Sequence, residues 1–264
     1  MKLNTDKMLV DKENNVGWIT FNNPAKRNAV SLEMWQALGM ILEDLQEDDD
    51  VRVVIMKGAG NKAFVSGADI SEFEVKRSSA EQSEEYTRVA ASSLKMLNEL
   101  TKPLLVMIQG YCVGGGLAAA LSADVRIATD DSKFGIPAAK LGLGYAYEGV
   151  AALADIVGPS YALDILMSGR LLDADEALRI GLVNRIVIRD DLEKTVKDYA
   201  AIVVANAPLT IKAVKASIKE YLKDPGKRNP GKISQMVKAC FDSNDYKEGR
   251  RAFMEKRKPR FTGK

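Results

Sequence analysis

The sequence contains no histidine. That absence excludes Ser-His-Asp and Cys-His catalysis and every histidine-ligated metal site, so acid–base work falls to Asp, Glu, Lys, Tyr or Cys. Cysteine is scarce: Cys112 and Cys240 are the two thiols in 264 residues. Two thiols supply neither a disulfide framework nor a zinc cluster, and they suit a reducing cytoplasm, the compartment expected here. Net charge is small, since 38 Lys+Arg against 36 Asp+Glu leave +2. A broad basic field for nucleic acid is therefore missing. No apolar run approaches the ~18 residues of a membrane span, and Met1 to Lys7 is polar, without a signal-peptide core. The expectations are no nucleic-acid partner, no membrane and no metal.

What is present is an ordinary globular composition, 46% apolar and 28% charged. A chain of this length buries roughly three-quarters of its unfolded surface, enough for one large domain or a core with an appendage. Val16 to Phe21 alternates as a strand and is broken by Asn22, Asn23 and Pro24. Helical spacing runs from Leu32 to Leu45 behind Ser31 as a cap. Val51 to Met56 and Leu104 to Ile108 read as buried strands, with a long helix from Ser79 to Leu100 between them. Val125 to Ala128 is a further strand. This succession predicts an α/β fold with a largely parallel sheet. Asp173 and Glu176 resemble a capping box for a helix ending at Ile180, with Gly181 as its stop. After Asp190 the pattern is helical throughout: Leu192 to Val204, Leu209 to Leu222, a Pro- and Gly-bearing connection over 223–232, and a last section from Ile233 to Lys258.

Three segments carry the chemistry: F-V-S-G-A-D-I from Phe64, G-Y-C-V-G-G-G from Gly110, and F-G-I-P-A-A-K-L-G-L-G-Y-A-Y-E-G from Phe134. A strand entering Gly114-Gly115-Gly116 and leaving as a helix presents free N–H groups that can hold a phosphate or a developing oxyanion. The alternative is that three glycines allow a tight turn and close helix packing. Neither the P-loop nor the dinucleotide-binding spacing occurs in this segment.

These runs, with N-P-A-K-R-N-A-V at Asn23 to Val30 and A-F-M-E-K-R-K-P at Ala252 to Pro259, resemble the crotonase superfamily of enoyl-CoA hydratases and isomerases. The resemblance covers nearly the whole chain, in order. It implies a crotonase (ClpP-like) spiral of ββα units over 1–190 and a C-terminal helical region over 191–264 for assembly and completion of the CoA site. It also implies an acyl-CoA substrate drawn from metabolism of the fatty-acid type. Coenzyme A would enter as part of that substrate, with no permanently bound cofactor, and the assembly would be a homotrimer or homohexamer. By motif position, Ala68 and Gly115 would donate backbone N–H groups to the thioester oxygen. Lys26, Arg27 and Ala29 would meet the CoA moiety, and Lys256 would reach a neighbouring subunit's CoA. Ser66, Gly67, Asp69, Ile70, Tyr111, Gly114, Pro137, Ala138 and Leu143 complete the expected lining.

Hydratases of the superfamily place one glutamate two residues past the glycine triplet and a second after the proline of the F-G-I-P run. Ala118 and Ala138 stand there. One positioned acid–base group is typically worth roughly 10²–10⁴ in rate, so the resemblance implies chemistry other than plain water addition: decarboxylation, C–C hydrolysis or another lyase reaction. Tyr145 and Glu148 remain as catalytic candidates; Tyr145 matches an active-site tyrosine of a decarboxylating relative that has a histidine where this chain has Ala68. The alternatives are a hydratase or isomerase using Glu148 or Tyr145 as replacement base, and a CoA-ester-binding protein without catalysis. Cys112 reads as buried and inert, Asp69 as a structural cap, and Glu72, Glu74 and Lys140 as solvated side chains.

Overall fold

The computed structural model describes residues 3–69 and 80–264. In chain order the elements are β1 (Met8–Glu13), β2 (Val16–Phe21), α1 (Leu32–Glu47), β3 (Val53–Gly58), β4 (Ala63–Val65), α2 (Ala80–Glu99), β5 (Leu104–Ile108), β6 (Tyr111–Val113) and α3 (Gly115–Leu121). There follow β7 (Val125–Thr129), β8 (Lys133–Gly135), α4 (Tyr147–Ser168), α5 (Ala174–Arg179), β9 (Arg185–Val187), α6 (Leu192–Val204), α7 (Pro208–Tyr221), α8 (Pro230–Asp242) and α9 (Asn244–Met254). One sheet has the order β1-β2-β3-β5-β7-β9 and a smaller one β4-β6-β8. The hairpin β1–β2 is antiparallel, turning on Asn14 and Asn15, both at positive φ; every other strand pair is parallel. The successions β3-β4-α2, β5-β6-α3 and β7-β8-α4 each give one strand to the large sheet, one to the small sheet and then a helix. This is the expected spiral of ββα units.

Burial on both faces explains why the central strands are apolar without alternation. Val54, Met56, Leu104, Val106 and Ile108 face an inner core shared with the α1 residues Trp35, Leu38, Ile41, Leu42 and Leu45. Val53, Ile55, Leu105, Met107 and Trp18 face outward, where Leu192, Val196 and Ala200 of α6 cover them. β9 is therefore the last strand of the core, and the helix just beyond residue 190 closes its outer face.

Ser31 caps α1 as its sequence suggests, accepting from Met34 N–H at 3.3 Å. Only half of the expected capping box forms at α5. Asp173 Oδ1 accepts from Glu176 N–H at 2.8 Å, but the Glu176 carboxylate turns to Arg170 at 2.7 Å, because a guanidinium offers a stronger partner than a backbone N–H. The last helical section is two helices, divided where Ser243 Oγ caps α9 by accepting from Tyr246 N–H. Tyr145 lies two residues before, and Glu148 in the first turn of, α4, a helix of 22 residues bent at Gly158-Pro159. By length and composition α4 could cross a bilayer, although acidic residues interrupt its apolar sequence. It lays Leu153, Val157, Ala162 and Ile165 into the inner core.

Helices α7 to α9 attach through cationic side chains that meet helix and strand ends. Lys215 Nζ binds Asp124 Oδ2 at 2.6 Å and Lys102 O at 2.8 Å, and Arg52 binds Phe261 O at 2.7 Å. Arg251, Arg257 and the Arg260 N–H converge on Glu248, so the basic C-terminal run is partly neutralised within the chain.

Candidate active site

The site is set by where β4 and β6 end. They run parallel, Ala63 opposite Tyr111 and Val65 opposite Cys112, and so deliver 66–69 and 114–116 to the same end of the small sheet. The two loops touch. A Cβ on Gly116 would stand 2.6 Å from Val65 Cβ, and one on Gly114 would stand 3.6 Å from Gly67 Cα. Gly114 itself has φ 56° and ψ −121°, a conformation open to glycine and closed to residues with a Cβ. The triplet thus makes a tight turn and packs closely, and Gly115 N–H lies in the first turn of the helix that follows.

Two backbone donors emerge from this geometry. Val30 pairs with Ala68 as an isolated parallel bridge. Val30 N–H donates to Gly67 O at 2.8 Å, and Asp69 N–H donates to Val30 O at 3.0 Å. Ala68's own N–H consequently turns the other way, and among the described residues it has no acceptor. Gly114 N–H donates to Gly135 O at 2.8 Å and Ala118 N–H donates to Gly114 O at 3.0 Å. Gly115 N–H, in the first turn of α3, has no acceptor among the described residues. Preorganised N–H pairs of this kind stabilise negative charge developing on an oxygen.

The bond from Gly114 to Gly135 also clamps the end of β8 beside the triplet. Pro137 and Ala138 follow in a single turn over Pro137–Leu141, and the half-buried Ala138 packs against the inner core while its carbonyl accepts from Leu143 N–H at 3.0 Å. Ala118 is also half-buried, three residues along α3 from Gly115. Both positions present methyl groups. Tyr145 is half-buried with its hydroxyl enclosed and lacking a partner among the described residues. Its ring lies so near Gly149 that a Cβ there would be 2.6 Å from Tyr145 Cε1. Burial pushes the phenol up to about 12. It therefore stays protonated near neutral pH and can serve as a donor, not as a base. Glu148, in the first turn of α4, is exposed in the single chain, as are Leu143 and Tyr147.

The expected CoA-facing residues lie along the same edge. Lys26 Nζ meets Asp69 Oδ2 at 2.8 Å, with Asp69 buried and Lys26 about half exposed (49%). Asp69 thus ties 24–30 to the donor loop by its side chain as well as its N–H. Arg27 lays its guanidinium 5.1 Å from the centroid of the Tyr111 ring, and its carbonyl accepts from Ser66 N–H at 3.1 Å. Ala29 is buried. Ile70, Glu72 and Glu74 lie outside the described residues. Lys256 follows α9, exposed, and none of the described contacts joins it to 26–30. Cys112 is fully buried, and burial pushes its thiol up, which suppresses the reactive thiolate. Among the described residues no group of three or more Cys, Asp or Glu side chains is placed to hold a metal.

Asn28 was not singled out from the sequence, yet it organises this edge. Fully buried at φ 57°, it accepts from Asn23 N–H at 3.0 Å and donates to Ala59 O and Ala63 O at 2.9 Å each. An asparagine two residues past a Lys in a Pro-initiated turn is the one sequence signal for it, since Asn tolerates the left-handed region.

The family profile described as Enoyl-CoA hydratase/isomerase matches residues 11–264. The short-chain-enoyl-CoA hydratase of Clostridium acetobutylicum is 33% identical over 258 residues, 98% of this chain and 97% of that protein. The crotonyl-CoA hydratase of Syntrophomonas wolfei is 30% identical, covering 98% and 99%. Among solved structures, an enoyl-CoA hydratase/carnithine racemase from Magnetospirillum magneticum superposes with TM-score 0.94 at 38% identity, covering 98% of this chain and 97% of its own. An enoyl-CoA hydratase from Bacillus anthracis does so with TM-score 0.90 at 29% identity, covering 98% and 100%.

Proposed function

This chain belongs to the enoyl-CoA hydratase/isomerase family, within the crotonase superfamily, and from that premise we propose that it is an enzyme that binds a small acyl-CoA thioester and stabilises its enolate. The observation that carries the reading is the pair of N–H groups at Ala68 and Gly115, on two loops that touch at Gly67 and Gly114, each without an acceptor among the described residues. In an enolate the electron pair from the α-carbon moves onto the thioester oxygen, where two fixed donors meet it. Lys26 and, from a neighbouring copy, Lys256 serve the phosphates of CoA as point charges, and Arg27 serves them as a planar fork of donors.

For the reaction itself, Ala118 and Ala138 offer no carboxylate to orient water or move a proton. Decarboxylation needs neither. The C–C bond breaks, its electron pair passes through the α-carbon to the oxygen held by Ala68 and Gly115, carbon dioxide leaves, and solvent protonates the α-carbon. C–C cleavage of a related kind shares that intermediate. The second reading is a hydratase or isomerase, favoured by the names of the relatives above. It requires an ionised base, and Glu148 is the candidate, because Tyr145 keeps its proton.

The test is mass spectrometry of saturated, α,β-unsaturated, malonyl-type and β-keto CoA esters incubated with the protein in deuterated water. Loss of carbon dioxide or chain cleavage is expected. Addition of water to the unsaturated ester establishes the second reading instead, and absence of both turnover and α-deuterium exchange across the panel contradicts an enzyme of either kind.

A further inference from the structure

We propose that Tyr86, acting with Trp35, is a positioning residue that holds the two backbone donors in one geometry; the proposal rests on the thioester-enolate reading above. Tyr86, on α2, and Trp35, on α1, are both buried, at 6% and 3% exposure. Trp35 Nε1–H donates to the Tyr86 hydroxyl at 3.1 Å, and that hydroxyl donates to Val30 O, also at 3.1 Å. Val30 O is the same carbonyl that accepts from Asp69 N–H at 3.0 Å. One lone pair of this oxygen thus fixes the bridge that turns Ala68 N–H outward, and Tyr86 occupies the other.

The far end of the relay reaches the second donor. Trp35 Cζ2, two bonds from Nε1 in the rigid indole, lies 3.4 Å from where a Cβ on Gly115 would stand. The indole is therefore the floor beneath Gly115, while its N–H is committed to Tyr86. A single path runs from Ala68's bridge through Val30 O, the Tyr86 hydroxyl and the Trp35 ring to Gly115. None of these side chains needs to touch substrate. Oxyanion stabilisation depends on donor placement at the scale of an ångström or less, so a relay that fixes both donors bears on the transition state more than on ground-state binding.

Tyr86→Phe keeps the ring and breaks the relay, leaving Trp35 Nε1–H and one side of Val30 O unpaired in a buried setting. The experiment measures Kd for acetoacetyl-CoA, whose enolate has an ultraviolet band that its keto form lacks, and for butyryl-CoA, which does not enolise readily. The wild-type protein should prefer acetoacetyl-CoA and show the band. Tyr86→Phe should lower that preference about tenfold while butyryl-CoA affinity stays within about twofold. Trp35→Phe should lower it as well, and it decides the matter if Tyr86→Phe does not fold. Ser93→Ala is the control: it removes another buried bond between α1 and α2, from Ser93 Oγ to Trp35 O at 2.7 Å, and should leave the preference intact. An unchanged preference in Tyr86→Phe, or an equal loss in Ser93→Ala, overturns the positioning role. A wild-type protein with no preference and no band instead overturns the enolate reading beneath it.

Discussion

Gly115 and Gly116 are neighbours with opposite requirements. Gly115 is needed for its N–H, and its Cα has room for a methyl that would just touch Trp35 at 3.4 Å; Gly116 is needed for its missing side chain, since a Cβ there would overlap Val65. Gly115→Ala should therefore retain activity, whereas Gly115→Pro, which keeps a Cβ but removes the donor at a helix position that tolerates proline, should lower kcat by roughly 10²–10³. Steady-state kinetics of the two variants side by side check this. Gly116→Ala should cost about 1–3 kcal/mol by overpacking, read by denaturant unfolding. Tyr145→Phe should raise stability, by up to about 1–3 kcal/mol, because it removes a buried hydroxyl without a partner among the described residues; a lower melting temperature would show that the hydroxyl is satisfied in solution. Of these residues, the glycines drew attention in the sequence because three in a row are unusual. Free N–H groups at the glycine triplet were legible from its place between a strand and a helix, but which of them would act, and that Ala68 would be the second donor, came through family resemblance alone, since a backbone N–H leaves no mark on residue type. The link between Trp35 and Tyr86 joins positions 51 apart and could not be read from spacing.

Elements with a strong apolar pattern were legible. α1, with one buried face, shows its apolar positions at helical spacing behind a serine that caps it, and β5, buried on both faces, is a continuous apolar run with the bounds expected. The short strands β4, β6 and β8, of three residues each, carry too little pattern to separate from loop. α4 was missed for another reason: its apolar residues surround the helix on all sides, and Gly158-Pro159 reads as a break. At this scale α7 supplies a pH prediction. Lys219 Nζ reaches Asn98 O and Leu100 O at the end of α2, beside Lys215, Asp124 and Glu99. Burial, reinforced by the charge on Lys215, lowers its pKa to about 8 from 10.5. The folded state then binds fewer protons than the unfolded state between those values, so stability contributed here rises with pH from about 8 to about 10.5. Lys219→Met should flatten that rise in unfolding free energy; an unchanged slope would show that Lys219 titrates normally.

The whole molecule is a spiral of ββα units, and one end of its small parallel sheet creates the site: β4, β6 and β8 each deliver one loop to it. The remaining surface points to assembly. Val214, Ile218, Leu222, Phe241, Phe253 and Met254 of the C-terminal helical region lie exposed, several of them around an apolar groove of about 900 Å³. The homotrimer or homohexamer that the family resemblance implies would bury them, and it stands as a proposal. Phe253→Glu should shift the protein to monomer in analytical ultracentrifugation, and a wild-type protein already monomeric would contradict it. The central claim is that a thioester oxygen sits between Ala68 N–H and Gly115 N–H. It is tested most directly by the infrared carbonyl stretch of a ¹³C-labelled acyl-CoA thioester bound to the protein. The stretch should fall below its value in water and recover toward it in Gly115→Pro but not in Gly115→Ala. A bound carbonyl that absorbs where the free thioester does would contradict the oxyanion hole and the function built on it.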